Sequence, residues 1–170
     1  MSLLCKTLAL AFLFILFGAK PGSAQPCRPV NASSQLEALL PTLAGFTRGK
    51  PTSETDLQEA VGRTTVDYEA QSGATISVEL MDSCRNPNML AQFREYLKTG
   101  PPPLPITTYR SVPVRGFPAY EEWTAISKHA EIHVLVADRF MVKVTGDLAE
   151  LATVQAAAAA IDLPKLATLR

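Results

Sequence analysis

No run of basic residues, no glycine-rich phosphate loop and no Gly-x-Ser-x-Gly elbow occurs in this chain of 170 residues. Charge of either sign is not in excess, with 16 Lys plus Arg against 16 Asp plus Glu. A balanced chain without a Lys/Arg cluster lacks the electrostatic footprint of a nucleic-acid binder, and equally that of a protein held tightly on an anionic membrane surface. Gly45, Gly49 and Gly116 form neither a phosphate loop nor a dinucleotide fingerprint, so no motif supports nucleotide chemistry. Acyl transfer through a strained serine turn is likewise without a motif. Cysteine is scarce, at 3, histidine scarcer, at 2, and Trp123 is the only tryptophan.

What is present begins at the N-terminus. Lys6 precedes an uncharged apolar run from Leu8 to Phe17, and Pro21-Gly22-Ser23-Ala24 then breaks any helix and supplies small residues. The 13 residues between Lys6 and Lys20 fall short of the roughly 20 that a bilayer-spanning helix needs. The pattern therefore predicts a cleaved signal peptide over 1–24, cut between Ala24 and Gln25, and a single α+β domain over 25–170 with no integral membrane segment after cleavage. Lys6 and Lys20 leave with the leader, so the 16 basic side chains become 14 against 16 acidic ones. The expected location is periplasmic or secreted, an oxidising compartment.

Cys5 also leaves, and Cys27 and Cys84 remain as an expected disulfide. Closing this loop of about sixty residues, from Cys27 to Cys84, contributes on the order of 4 kcal/mol in the chain-entropy model. Ala24-Gln25-Pro26 ahead of Cys27 does not resemble a lipoprotein cleavage box.

Ser33 or Ser34 can cap a short helix bearing Leu36, Leu39 and Leu40, which Pro41 ends. Asn31-Ala32-Ser33 matches a glycosylation sequon, meaningful only in a eukaryotic secretory route. From Phe46 to Gly62 the chain is polar and turn-rich, with at most a short strand near Phe46 to Arg48. Val66 and Tyr68, then Ile76, Val78 and Leu80, alternate with polar neighbours and predict a hairpin. A three-residue loop Gln71-Ser72-Gly73 sets Tyr68 opposite Ile76 and Val66 opposite Val78, with glycine where a positive φ is required.

Met89, Leu90, Phe93 and Leu97 predict a helix from Pro87 to Lys98, stopped by Gly100 and followed by the stiff Pro101-Pro102-Pro103-Leu104-Pro105 connector. Two or three strands are expected through Ile106 to Arg115 and Phe117 to Ile126. A second hairpin carries Ile132, Val134 and Val136 against Phe140, Val142 and Val144; the loop Ala137-Asp138-Arg139 is the one that matches apolar faces. Asp147 is the expected cap of a helix to about Ile161, and Asp162 that of a short terminal helix with Pro164 in its first turn. The sum is an α+β fold: an antiparallel sheet of about five to seven strands built from hairpins, packed with two main helices plus short terminal helices.

Two groupings carry chemistry. His129, Glu131 and His133 share one face of a strand, although His129 and His133 stand about 13 Å apart on a straight strand and cannot both hold one zinc unless the turn curls His129 back. The same pattern suits a solvated polar face opposite Ile132, Val134 and Val136. In Tyr120-Glu121-Glu122-Trp123 one acid shares a face with Trp123, and it is Glu121 if Phe117, Ala119 and Trp123 face the core. A buried acid beside aromatics has a raised pKa and can act as an acid or receive a cationic ligand; an edge strand with both acids wet is the alternative. No residue is assigned a catalytic role, and neither a cofactor nor a resident metal is expected.

The runs Val114-Arg115-Gly116-Phe117-Pro118-Ala119-Tyr120-Glu121-Glu122-Trp123 and Val136-Ala137-Asp138-Arg139-Phe140-Met141-Val142-Lys143-Val144, with the Ala-rich helix ending Ala160-Ile161-Asp162-Leu163, resemble small exported bacterial α+β proteins of uncharacterised function. The likeness covers about the last sixty residues. The order of hairpins and helices is similar to sandwich folds of photosystem accessory and Ran-binding proteins, which implies no activity. The expected function is a non-enzymatic accessory or binding protein of the bacterial envelope, with an unknown protein or small-molecule partner and no nucleic acid. The alternatives are an envelope hydrolase or metal-dependent enzyme using Glu121 and the His129/Glu131/His133 group, and an assembly partner that pairs through an exposed strand edge.

Overall fold

A computed structural model describes residues 27–58, 60–84 and 86–169; the leader and the cleavage position at Ala24 and Gln25 lie outside them. The strands are β1 (Phe46–Arg48), β2 (Thr52–Asp56), β3 (Val61–Ala70), β4 (Thr75–Asp82), β5 (Thr107–Ser111), β6 (Ala119–Thr124), β7 (His129–Val136) and β8 (Phe140–Asp147). The helices are α1 (Pro87–Thr99), α2 (Leu151–Ala160) and α3 (Leu163–Thr168), preceded by short helical turns at Ala32–Leu36 and Glu37–Leu39. All eight strands join one antiparallel sheet in the order β1-β3-β4-β8-β7-β6-β5, with β2 beside β1 on the outer edge of β3.

The α+β expectation holds, but eight strands exceed the five to seven expected. The addition is β2, which carries no apolar alternation and is mostly exposed. It exists because β3 is long enough to pair with β1 at one end and with β2 at the other, Phe46 opposite Ala70 and Thr52 opposite Thr65.

Both hairpins have the expected registers. Val66 lies opposite Val78 and Tyr68 opposite Ile76, with Gly73 at φ 83° in the turn. Val134 lies opposite Val142 and Val136 opposite Phe140. The hairpins meet along β4 and β8, where Val78 faces Val144 and Leu80 faces Val142. One sheet face therefore presents an unbroken apolar surface, and the helices deliver Leu36, Leu39, Val154, Ala157, Ala158, Leu163 and Leu166 onto it. Fully burying each larger aliphatic side chain contributes about 1.5–3 kcal/mol. The opposite face is covered by α1 only near β6 and β7, where Leu90 and Phe93 pack on Tyr120 and Leu135.

Two caps differ from expectation. Asn31, not a serine, caps the N-terminal turn, its side chain accepting from Ser34 N at 3.2 Å. Asp147 does not cap α2, because β8 runs on to include it; Glu150 is the cap position and makes no side-chain cap bond. Asp162 caps α3 as expected, accepting from Lys165 N at 3.1 Å.

Cys27 and Cys84 are bonded, with Cα atoms 5.6 Å apart. Beside the bridge, the fully buried Asp82 accepts from Val30 N and Cys84 N, each at 2.9 Å. No helix among the described residues is long and apolar enough to cross a membrane.

Candidate functional site

Strand β6 alternates between the two faces. Ala119 and Glu121 point to the main core, with the half-buried Trp123 on the same side, while Tyr120 and Glu122 point towards α1. Glu121 is 5 % exposed, so of the two sequence alternatives the buried acid beside Trp123 is the one observed. It is not, however, an unpaired acid among aromatics. Arg110 stands directly opposite on β5 and donates from Nε to Oε1 at 2.8 Å and again from Nη2. Gln155, on α2, donates from Nε2 to Oε2 at 2.8 Å.

Glu121 and Gln155 form the floor of a cleft of about 280 Å³. Val112, Pro113 and Val114 make one wall, Ile132 and Ala159 the other, and Arg115 stands at the rim. The tip of that wall is a tight turn through Arg115 and Gly116, both at positive φ, closed by the Val114–Phe117 bridge and tied to α2 where Arg115 Nη1 donates to Ala159 O at 3.1 Å. An ionised carboxylate has about four acceptor positions, and three are taken, so Glu121 retains capacity for one more donor entering the cleft.

No family model, curated protein or solved structure matches the chain. The site is therefore read from its own geometry.

On the other face, under α1, lies the second grouping. The sequence pointed to His129, Glu131 and His133, whereas the structure brings together Glu122, Glu131 and His133, whose ligand-type atoms all lie within 4.8 Å of one another. Glu122 enters because β6 and β7 pair it directly with Glu131. His129, the first residue of β7, turns towards the last residue of β8, its Nδ1 2.7 Å from Asp147 Oδ1, with Nε2 3.6 Å from Glu131. His133 Nε2 donates to Glu131 Oε2 at 2.9 Å, and Lys143 reaches Oε1 at 2.9 Å. The bond from His133 chiefly holds the Glu131 carboxyl down to about 2; burial opposes this and Lys143 reinforces it.

Tyr120 stacks on His133 with centroids 4.5 Å apart and planes at 14°. Burial, followed by the charges of Glu122 and Glu131, pushes its phenol well above the ordinary value. Tyr109, raised for the same first reason, donates its hydroxyl to Tyr96 O.

Sequence reasoning missed Arg110, Gln155 and Glu122. Arg110 and Glu122 are set by strand register across β5, β6 and β7, and Gln155 by how α2 lies on the sheet. Local periodicity carries neither signal, although alignment of β6 against β7 would have exposed the facing glutamates.

Proposed function

We propose that this chain is an exported binding protein of the bacterial envelope, periplasmic or secreted, that takes a small ligand into the Glu121 cleft. One observation carries the reading: a buried carboxylate lies at the bottom of an apolar-walled opening, gripped by Arg110 and Gln155 and still able to accept a bond. Sites with few oriented polar groups between apolar walls suit small-molecule recognition. The ligand that fits has an N–H or O–H donor for Glu121 and a compact apolar body. Arg115 at the rim suits a second, acceptor-bearing end.

The leader and the Cys27–Cys84 bridge support an oxidising location, in keeping with the resemblance to small exported bacterial proteins. Binding is the favoured reading because Arg110 and Gln155 fix the Glu121 carboxylate as an oriented acceptor. Finding mature chains that start at Gln25 in the periplasmic fraction supports the location; an intact precursor in the cytosol overturns it.

The cleft is tested by ligand-observed NMR with small amines, amides and amino acids. Ala159→Phe fills the opening from an exposed helix position. Hits that vanish in Ala159→Phe and weaken in Glu121→Gln are expected; hits indifferent to both, or no hits, overturn the assignment.

A further inference from the structure

A pair of glutamates directly opposite on neighbouring strands is unfavourable, because like charges there destabilise a sheet by a few tenths of a kcal/mol up to about 1 kcal/mol. Glu122 and Glu131 are such a pair, on the face that α1 partly covers. Lys143 and His133 engage Glu131, but Glu122, half-buried, has no hydrogen bond or ion pair among the described residues. The imidazole beside them is fixed independently of the acids: Tyr120, 4 % exposed, stacks on His133 with ring centroids 4.5 Å apart. Two groups therefore offer unused bonding capacity beside an oriented imidazole: the Glu122 carboxylate and the second lone pairs of Glu131.

We propose that Glu122, Glu131 and His133 form a binding site for a first-row divalent metal ion of the zinc type, with the Tyr120 ring stacked on its imidazole. The donor set decides the class. One imidazole with two carboxylates suits a borderline ion such as zinc more than calcium or magnesium, which favour oxygen alone. Geometry agrees. Tetrahedral bonds of about 2.0–2.1 Å place neighbouring ligand atoms about 3.3 Å apart, so His133 Nε2 and Glu131 Oε2, now 2.9 Å apart, need to separate only slightly. Glu122 closes the remaining gap by side-chain rotation, since all three ligand atoms already lie within 4.8 Å.

Ligation takes His133 as a neutral imidazole, so the proton now shared from Nε2 to Glu131 moves to Nδ1 or to solvent. Lys143 stays on Glu131 Oε1 and opposes the ion by its charge. His129 takes no part, because its bond to Asp147 holds it at the strand ends, outside the Glu122, Glu131 and His133 group. Three protein ligands leave a fourth position for water or for an external group.

The test is isothermal titration calorimetry of tag-free, disulfide-intact protein with zinc chloride. One equivalent is expected to bind to the wild type. Glu122→Gln and His133→Gln are each expected to weaken binding by about tenfold or more, a loss that even outer partners of a metal site bring. Lys143→Met is expected to tighten it, and His129→Gln to leave it unchanged. Glu122→Gln neutralises a carboxylate that has no hydrogen bond or ion pair among the described residues, so its fold, checked by circular dichroism, survives and any lost affinity belongs to the site. The proposal is overturned by no stoichiometric binding to the wild type, by equal affinity in Glu122→Gln, or by a loss found only in His129→Gln. None of these outcomes bears on the Glu121 cleft, which opens on the opposite face.

Discussion

Arg139 grips Asp82 with two prongs, Nε to Oδ1 at 2.8 Å and Nη2 to Oδ2 at 2.6 Å, across 57 residues of sequence. The carboxylate is fully buried and also receives Val30 N and Cys84 N, while Arg139 Nη2 reaches Arg28 O at 3.1 Å. This ion pair joins the N-terminal segment, the end of β4 and the β7–β8 turn. Removing the cation strands a buried charge, at a cost of about 3–5 kcal/mol. Urea unfolding of Arg139→Met should show a loss of that size, and Asp82→Asn combined with Arg139→Met should recover part of it. A loss below about 1 kcal/mol would mean that the pair is solvated in solution.

The Cys27–Cys84 bridge pins the same corner. The Cys27→Ser/Cys84→Ser double variant should lose about 4 kcal/mol if loop entropy dominates. Chemical denaturation measures the loss, and peptide mapping without reductant should recover the crosslinked pair. Reactive thiols at both positions in the native protein would contradict the structure.

Gly146 lies under α2, where an added Cβ would stand 2.3 Å from Val154 Cγ2 and 3.2 Å from Ile76 Cδ1. Gly146→Ala must therefore lift the helix, at about 1–3 kcal/mol. Because Gln155 adjoins Val154, the same change should loosen its bond to Glu121. Thermal unfolding reads the first effect, and the side-chain amide resonance of Gln155 the second.

Tyr68 is buried and donates to Pro41 O at 2.6 Å. Burial raises its pKa above the usual 10.0, against a smaller opposing effect of Arg48. The unfolded chain then ionises this phenol first, so stability is unaffected below pH 10 and falls as pH rises beyond it. Tyr68→Phe should be less stable at neutral pH by about 1 kcal/mol, for the lost hydrogen bond, and should show a shallower alkaline decline. Tyr109 and Tyr120 shift in the same direction, so the decline should shrink without vanishing. An unchanged alkaline slope would remove Tyr68 as its source.

The two hairpins, α1 and α3 were readable from residue order. Period-two alternation admits only one register once apolar faces must match, and Gly73 and Asp162 supply local turn and cap chemistry that needs no distant partner. Strand β2 was not readable, because Thr52 to Asp56 has no apolar face and pairs only where β3 offers an edge. The start of α2 was misplaced because Asp147 suits a cap, yet its backbone continues the ladder opposite Thr75.

The chemistry divides in the same way. Residue order alone singled out Glu121 and the histidine strand, since alternation along one strand says which side chains share a face. It could not say what lies across from them. Glu121 became an anchored cleft floor through Arg110 and Gln155, and the metal-type grouping exchanged His129 for Glu122, because pairing between strands and the seating of a helix are long-range choices. Those choices are settled by the packing of the whole apolar face, which no short stretch of chain contains.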